Sequence, residues 1–211
     1  MELLTHPLYL APVPLYVQLY AADALVVDDV SPFVKQTYRN RAVVAAENGA
    51  QPLTVPVVHD GAKVAMREIR ISEHGNWRHQ HWNALVSAYR KSPFFEYYAD
   101  DFAHFYEERD GFLMDFNLRL HGVVCELLGL EKKVKFLSDE AACGSDRLDM
   151  RHIAEPKALT ALALDRALPY YQVFAQRNGF IPSLSIVDLL FNTGPEGLLV
   201  LRDSACEEQG R

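Results

Sequence analysis

Short apolar runs separated by prolines and acidic residues characterise the first 60 positions of the chain. Apolar residues at 3–4 begin a short strand, and the prolines that follow allow a helix from about 14 to 22. The run Ala24–Val27 is apolar throughout, which is typical of a strand buried on both faces. This succession indicates an α/β layer architecture, and we expect residues 42–46 and 53–58 to extend the same sheet.

The middle of the chain changes to a helical period. Residues 68–71 alternate as a half-buried strand, and a helix is predicted from 76 to 90. Apolar residues then recur at spacings of three and four from 100 to 130, which indicates one or two amphipathic helices ending at Gly129. Residues 138–154 are polar without a clear period, and we expect a surface loop there.

The last third is predicted to end in a short helix and a tail. Residues 184–191 form an apolar run preceded by Ser183, a candidate N-cap, and residues 203–211 are expected to fray. The whole pattern predicts a single α/β domain over 1–205, with a frayed tail over 206–211. It has a nucleotide-binding-like layered sheet in the N-terminal part and a mainly helical remainder.

Composition narrows the class of protein. Of 211 residues, 49% are hydrophobic and 23% are charged, which is the range of a globular domain. The formal net charge of −7 argues against nucleic acid as a partner. No apolar stretch approaches the length of a membrane span and the N-terminus lacks a basic region, so we expect a soluble, cytoplasmic protein without membrane insertion. The odd number of cysteines predicts reduced thiols at Cys125, Cys143 and Cys206.

The chain contains no glycine-rich phosphate loop, no GxSxG, no HExxH and no CxxC, so candidate chemistry has to come from polar clusters near strand ends. Open α/β sheets bind ligands outside the carboxyl ends of their strands. His6 follows the first predicted strand, where an imidazole can contact a phosphate or act as a general acid. The alternative is a surface histidine in a proline-rich turn.

A second cluster concentrates positive charge in an acidic chain. Lys35, Arg39 and Arg41 lie within seven residues, and guanidinium groups form bidentate contacts with phosphate or carboxylate. On a strand, Arg39 and Arg41 would point to one side and Asn40 to the other. The alternative is a solvated strand edge protected by its charges.

A third cluster surrounds two histidines in the predicted helix from 76 to 90. His79 and His81 are two positions apart and therefore lie on different helix faces, so we predict no metal site. Trp77, His81 and Leu85 share one face, which favours an aromatic anchor in the core. A stacking site for a base or a sugar is the alternative.

A fourth cluster places polar residues on an apolar helix. Ser185, Asp188 and Asn192 are spaced by three and four, so they form one stripe, and Tyr170 and Gln172 precede them in the chain. Buried polar groups need partners or a ligand. Capping and turn formation explain Asn192 but leave Asp188 unexplained.

Together these segments resemble the WbqC-like protein family. The motifs that carry the resemblance are His6-Pro7-x-Tyr9-Leu10-x-Pro12, the stretch from Asp28-Asp29 to Arg39-Asn40-Arg41, Leu53-Thr54-Val55-Pro56-Val57, the helix from Trp77 to Tyr89 with Ser92-Pro93-Phe94-Phe95, Tyr170-Tyr171-Gln172-Val173-Phe174 and Phe180-x-Pro182-x-Leu184-Ser185-Ile186-x-Asp188-Leu189-Leu190-Phe191-Asn192. Relatives typically begin His-Gln-Pro, whereas this chain lacks the glutamine. The opening is also similar in placement to the HxGH element of nucleotidyltransferases, of which one histidine is present here.

The resemblance implies a role in O-antigen or surface-polysaccharide biosynthesis. Our leading hypothesis is an enzyme that uses ATP with magnesium, or another nucleotide or nucleotide sugar, for group transfer such as acylation or aminoacylation of an amino sugar. His6, Arg39 and Arg41 would be catalytic. The acceptor pocket would comprise Tyr9, Asn40, His81, Tyr170, Gln172, Asp188 and Asn192. The alternative is a non-catalytic protein that binds a small molecule or serves as a scaffold.

Overall fold

The structure, a computed structural model, describes residues 1–58, 63–139, 146–155 and 167–209. The strands are β1 (Glu2–Thr5), β2 (Ala24–Val27), β3 (Arg41–Ala46), β4 (Gly49–Thr54), β5 (Val57–Val58), β6 (Arg70–Ile71), β7 (Lys133–Phe136) and β8 (Arg147–Asp149). The helices are α1 (Val13–Ala21), α2 (Trp77–Tyr89), α3 (Phe95–Glu107), α4 (Leu113–Leu128), α5 (Ala175–Asn178), α6 (Ile186–Thr193) and α7 (Gly197–Gln209). Short 3-10 turns connect several of them.

Four parallel strands form the main sheet, in the spatial order β7-β2-β1-β8. In chain order this is third, second, first and fourth, the arrangement of a doubly wound sheet. The direction of winding reverses between β1 and β8. The carboxyl ends of these two strands therefore flank the position where such sheets bind ligands. The predicted α/β class and the fully buried β2 are both confirmed.

Helix α1 connects β1 to β2, and prolines determine where it begins. Pro12 is extended and Pro14 lies in the first turn, where its missing N–H costs no hydrogen bond. The N–H of Val13, which has no acceptor within the first turn of the helix, donates to the Leu184 carbonyl (2.9 Å). The Ser185 N–H donates to Val43 (2.7 Å) and the Ile186 N–H to Ala11 (2.9 Å), so residues 184–186 join the start of α1 to β3.

The expectation that 42–46 and 53–58 extend the main sheet is wrong. β3 pairs with β4 as an antiparallel hairpin, because a tight turn before Gly49, whose φ is +116°, reverses the chain. Pro56 interrupts the predicted strand 53–58, and the short β5 beyond it pairs with β6. Two small sheets therefore stand beside the parallel one.

Two other expectations need correction. The segment 138–154 is not only a loop, because it contains β8, a three-residue edge strand that the alternating-pattern criterion is too coarse to detect. Ser185, not Ser183, is the N-cap of α6, and its Oγ accepts from the Val187 N–H (3.5 Å). Helix α7 continues to Gln209, so residues 203–209, which the sequence predicts to fray, are helical.

The helical middle of the chain agrees with its periodicity. Helices α2 and α4 lie where predicted, whereas α3 begins at Phe95, before the predicted helical stretch from 100 to 130. Gly129 ends α4 in the left-handed conformation with φ +66°. The fully buried ring of Phe191 packs against Tyr89, Phe95 and Phe102, which joins α6 to α2 and α3. In the described part of the chain, every helix is too short or too polar to cross a bilayer.

The turn between α6 and α7 gives a test of this packing. Gly194 has φ +57°, and a Cβ there would lie 2.5 Å from Cδ1 of the Phe94 ring. We expect Gly194→Ala to lower the free energy of unfolding by about 2 kcal/mol, measured by urea denaturation. Gly122→Ala is the control, because no atom lies within 4 Å of its added Cβ. Equal stability of the two variants would contradict the packing.

Candidate functional site

Polar side chains gather where β1, β2 and β8 end. His6 directly follows β1, Asp28 and Asp29 directly follow β2, and Arg151 lies two residues beyond β8. Because parallel strands end at the same edge of a sheet, these side chains from three distant segments lie together. We call this group, with Arg39, the sheet-edge site.

Asp28 is the fully buried carboxylate of the sheet-edge site. Its oxygens accept from the Ser31 N–H (2.9 Å), the Ser31 hydroxyl (2.7 Å) and Nη1 of Arg151 (3.1 Å). Burial alone would raise the pKa of Asp28, but these hydrogen bonds more than offset burial and lower it. Asp28 therefore stays ionised and holds β2 against the segment after β8.

Arg39 reaches the same edge from the turn before β3. Nδ2 of Asn117 on α4 donates to the Arg39 carbonyl (2.8 Å) and to the Pro7 carbonyl (3.0 Å), which fixes the turn against the end of β1. The Arg39 side chain is buried, and Nη1 donates weakly to Oγ1 of Thr37 (3.3 Å). Its Nε has no partner, and no described carboxylate lies within 4 Å of the guanidinium.

His6 is buried beside these charges. Its Nδ1 lies 3.8 Å from Oδ2 of Asp28, too far for a hydrogen bond, and Oγ1 of Thr5 is also buried without a partner. Burial, followed by the positive charge of Arg39, lowers the pKa of His6 to about 4. A cavity of about 20 Å³, large enough for one water molecule, borders Thr5, His6 and Asn117.

The two neighbours of Arg39 in the second cluster have different surroundings. Asn40 is buried, and its Nδ2 donates to the Val55 carbonyl (3.0 Å). Arg41 is the first residue of β3, and its Nε donates to Oγ1 of Thr54 (3.3 Å) on the paired strand. Arg39 and Asn40 lie in a turn, so the alternation of side chains expected on a strand does not apply.

Tyr9 and His81 form a separate contact in the aromatic core. The Tyr9 hydroxyl lies 3.0 Å from Nδ1 of His81 and 2.9 Å from the Tyr106 hydroxyl. Burial lowers the pKa of His81 to about 4, so its ring is neutral near pH 7. Trp77, His81 and Leu85 are all buried, as the anchoring interpretation of that helix face predicts.

Asp188 is the centre of a third group, the Asp188 network. Its Oδ2 accepts from the Tyr170 hydroxyl (2.7 Å) and from Nε2 of Gln172 (2.8 Å). Tyr89 also hydrogen-bonds to Asp188, and the Tyr89 oxygen accepts from the Ala45 N–H (3.0 Å). The ten predicted site residues thus separate into groups, of which only His6 and Arg39 meet at the sheet edge.

The rest of the Asp188 network is bonded to protein groups, except for Oδ1 of Asn192, which is buried without a partner. Nδ2 of Asn192 donates to the Asp188 carbonyl (2.7 Å), and Gln172 exchanges two hydrogen bonds with the backbone of Ile181 (2.9 and 3.0 Å). Burial raises the pKa of Asp188 to about 6, although Tyr170, Tyr89 and Gln172 each donate to it. The arrangement ties the chain around residue 170 to α6 and to β3.

The described residues include no group of three or more His, Cys, Asp or Glu side chains placed to hold a metal ion. His79 contacts Asn83 (2.9 Å) on the surface of α2. Cys125 is a free, buried thiol and Cys206 is free and exposed, whereas Cys143 lies outside the described residues.

Sequence reasoning assigned no site role to Thr5, Asp28, Asn117 and Arg151. Asp28 directly follows a buried strand, where open α/β sheets bind ligands, but an acidic residue there is equally typical of the end of a strand. Arg151 lies in a segment predicted to be a loop, so its proximity to Asp28 depended on β8. Asn117 is on the buried face of a helix, where a single amide among apolar residues carries no periodic signal.

Comparison with known proteins decides the family. The model of the WbqC-like protein family matches residues 7–161, more than half of the chain. The chain belongs to the WbqC-like protein family. A similar protein is the Uncharacterized protein Rv1507c of Mycobacterium tuberculosis, 29% identical over 206 residues, with 85% of this chain and 88% of the relative covered. No solved structure matches the chain significantly.

The part matched by the WbqC-like model covers most of the sheet-edge site. Asp28, Arg39, Asn117 and Arg151 lie within it, and His6 immediately precedes it. The Asp188 network lies mainly beyond the end of the matched part, although Tyr89 of that network is inside it. The matched part therefore includes the carboxyl ends of β2 and β8.

The electrostatic coupling at the sheet edge can be measured by NMR. We expect the His6 imidazole to titrate at about pH 4 in the ligand-free protein. In Arg39→Gln the pKa of His6 should rise, because a neighbouring positive charge is removed and Asp28 remains. Arg41→Gln is the control and should leave the pKa unchanged, because Arg41 contacts Thr54. An unchanged His6 pKa in Arg39→Gln would exclude the coupling.

The Asp188 network can be tested through stability. Asp188→Ala leaves the buried hydroxyls of Tyr170 and Tyr89 without their acceptor and removes one acceptor of the Gln172 amide. We expect a loss of about 3 kcal/mol or more in the free energy of unfolding by urea denaturation. Asp100→Ala, on the exposed surface of α3, should change it by less than about 0.5 kcal/mol. A similarly small effect for Asp188→Ala would disprove the network's structural role.

Proposed function

We propose that the sheet-edge site binds the phosphate of a nucleotide or nucleotide sugar, and that the protein catalyses a group transfer in surface-polysaccharide biosynthesis. The observation that carries this proposal is Arg39, a buried guanidinium without a carboxylate partner among the described residues. Its position at the winding reversal of a doubly wound sheet supports the same conclusion, because such sheets bind ligands there.

The energetics of burial favour an anionic ligand. Removing a charged group from water costs several kcal/mol unless an opposite charge and hydrogen bonds offset the cost. Asp28 and Glu155 offset this cost for Arg39 only in part, because both attract it from beyond ion-pair distance and the cation in contact with Asp28 is Arg151 (3.1 Å). A phosphate accepts two parallel hydrogen bonds from one guanidinium, which matches the unpartnered Nε of Arg39.

The neighbouring residues suit the chemistry of group transfer. In the proposed step the bond between a phosphate oxygen and the transferred group breaks, and the electron pair remains on that oxygen beside Arg39. The acceptor hydroxyl or amine bonds to the transferred group, and its proton passes to Nδ1 of His6. An incoming phosphate raises the basicity of His6, because its negative charge opposes the effect of Arg39.

The other predicted residues enter this proposal as supports. Tyr9 and His81 hold the loop after β1 against α2 and α3, and the Asp188 network secures the C-terminal third. The cavity beside His6 has room only for a water molecule, so binding of a phosphate requires the surrounding side chains to move. The relative from Mycobacterium tuberculosis, named as uncharacterised, adds no activity to this argument.

A thermal-shift screen tests the proposal. We expect ATP with magnesium, or a nucleotide sugar, to raise the melting temperature, because a ligand at 100 times its Kd adds about 2.7 kcal/mol of stability. Arg39→Met should lose this shift and keep the stability of the unliganded protein, because an unpaired buried charge is removed. Arg41→Met is the matched control and should retain the shift.

Two outcomes would count against the proposal. Lack of any shift with ATP, other nucleotides and nucleotide sugars would favour the scaffold alternative. A large drop in the stability of unliganded Arg39→Met would show that the guanidinium holds the fold together instead of waiting for an anion. Binding that depends on Arg39, without turnover in the presence of amino-sugar acceptors, would keep the site and reject the enzymatic step.

A further inference from the structure

A second polar pocket lies between the start of α2 and the end of α3. Its volume is about 320 Å³, within the range of small-molecule sites. Its walls include Glu73, Arg78, Trp82, Glu107 and Arg109, none of which belongs to the sheet-edge site or to the Asp188 network. We call it the α2–α3 pocket.

Arg78 is the unusual group in this pocket. Only 10% of its side chain is exposed, and its guanidinium lies over the Trp77 ring, 4.5 Å from the centroid. Nη1 donates to Oε2 of Glu73 (2.7 Å), whereas Nε and Nη2 are buried without a partner. Each unpaired buried donor costs about 1–3 kcal/mol, so two on one side chain indicate an acceptor that binds there.

The charges around Arg78 determine the kind of acceptor. The Glu73 carboxylate already neutralises Arg78, and the same oxygen lies 3.8 Å from Nε of Arg109. Glu107 adds a second carboxylate to the wall, so the pocket contains two cations and two anions. Arg39 lacks such a partner and favours an anion, whereas Arg78 favours a neutral ligand that both accepts and donates hydrogen bonds.

The apolar part of the pocket narrows the ligand further. Trp82 is partly exposed, and the rings of Phe95 and Tyr106 already stack on it. The pocket therefore offers many hydrogen-bonding groups and little free aromatic face. A nucleobase gains much of its binding energy from stacking, whereas a polyhydroxylated ring needs polar partners and a small apolar contact.

We propose that the α2–α3 pocket binds a pyranose ring of a carbohydrate. Ring hydroxyls accept from Nε and Nη2 of Arg78 and donate to the Glu107 carboxylate, and the C–H groups of the ring contact Trp82. The binding is independent of the sheet-edge site. Its further role as the subsite of the sugar acceptor rests on the proposed group transfer.

Intrinsic fluorescence gives a direct assay, because the two tryptophans of the chain, Trp77 and Trp82, both border the pocket. Glucose, galactose, mannose and N-acetylglucosamine are the probes, titrated to high millimolar concentration. At least one should bind to the wild type. Arg78→Lys keeps the charge opposite Glu73 but removes the two free donors, so we expect the affinity to fall about tenfold.

Matched variants separate binding from folding. Arg70→Lys is the control, because Arg70 also stacks on an aromatic ring, that of Phe112 (4.6 Å), but is exposed and outside the pocket. It should retain the wild-type affinity. Glu107→Ala changes an exposed helix position and should also weaken binding, so it tests the pocket if Arg78→Lys fails to fold.

The variant Arg39→Met distinguishes the two proposals. It should lose the thermal shift with nucleotides and retain sugar binding, since Arg39 does not border the α2–α3 pocket. Failure of all four sugars to bind to the folded wild type would overturn the pyranose proposal. Equal affinities of wild type, Arg78→Lys and Glu107→Ala would also overturn it, and so would binding of adenosine at this pocket in preference to the sugars.

Discussion

The buried carboxylate of Asp28 is the constraint around which the parallel sheet is arranged. The cost of burying an ion has to be offset by hydrogen bonds or an opposite charge. For Asp28 these come from Ser31, three residues later in the chain, and from Arg151, more than a hundred residues later. The pair fixes the ends of β2 and β8 on either side of β1. Because the hydrogen bonds of Asp28 go to Ser31 and Arg151, it acts on Arg39 only through Coulomb attraction beyond ion-pair distance.

The two buried arginines, Arg39 and Arg78, each have an unpartnered donor but differ in the charges that surround them. Both Arg39 and Arg78 have a buried Nε without a partner. Among the residues that the structure describes, Arg78 has a carboxylate, from Glu73, within ion-pair distance, whereas Arg39 has none. A buried guanidinium that already has a carboxylate partner needs only further hydrogen-bond acceptors. A buried guanidinium that has no carboxylate partner needs a negative charge as well. The difference in charge around the two side chains is the reason for proposing an anion at one site and a neutral ligand at the other.

Periodicity and proline positions predicted β1, β2 and α1 to α4, because each has a run long enough for its period to be read. β8 has three residues, two of them charged, so it shows no strand pattern. The pairing partner of a strand cannot be deduced from its period, which explains why β3 was assigned to the wrong sheet. The strand-end rule led to His6 and the charge cluster to Arg39. Arg151 required the fold, since its partner Asp28 is remote in the chain. Asp188 was singled out correctly as a group needing partners, and the partners proved to be protein side chains.

The backbone hydrogen bonds of residues 184–186 have a consequence for how the chain folds. Its hydrogen bonds reach back to Ala11, Val13 and Val43, so the first third of the protein cannot complete its backbone pairing until the last sixth has been synthesised. Contacts of such long sequence separation slow folding. During synthesis, the backbone groups of Ala11, Val13 and Val43 therefore stay without these partners until residues 184–186 have been made.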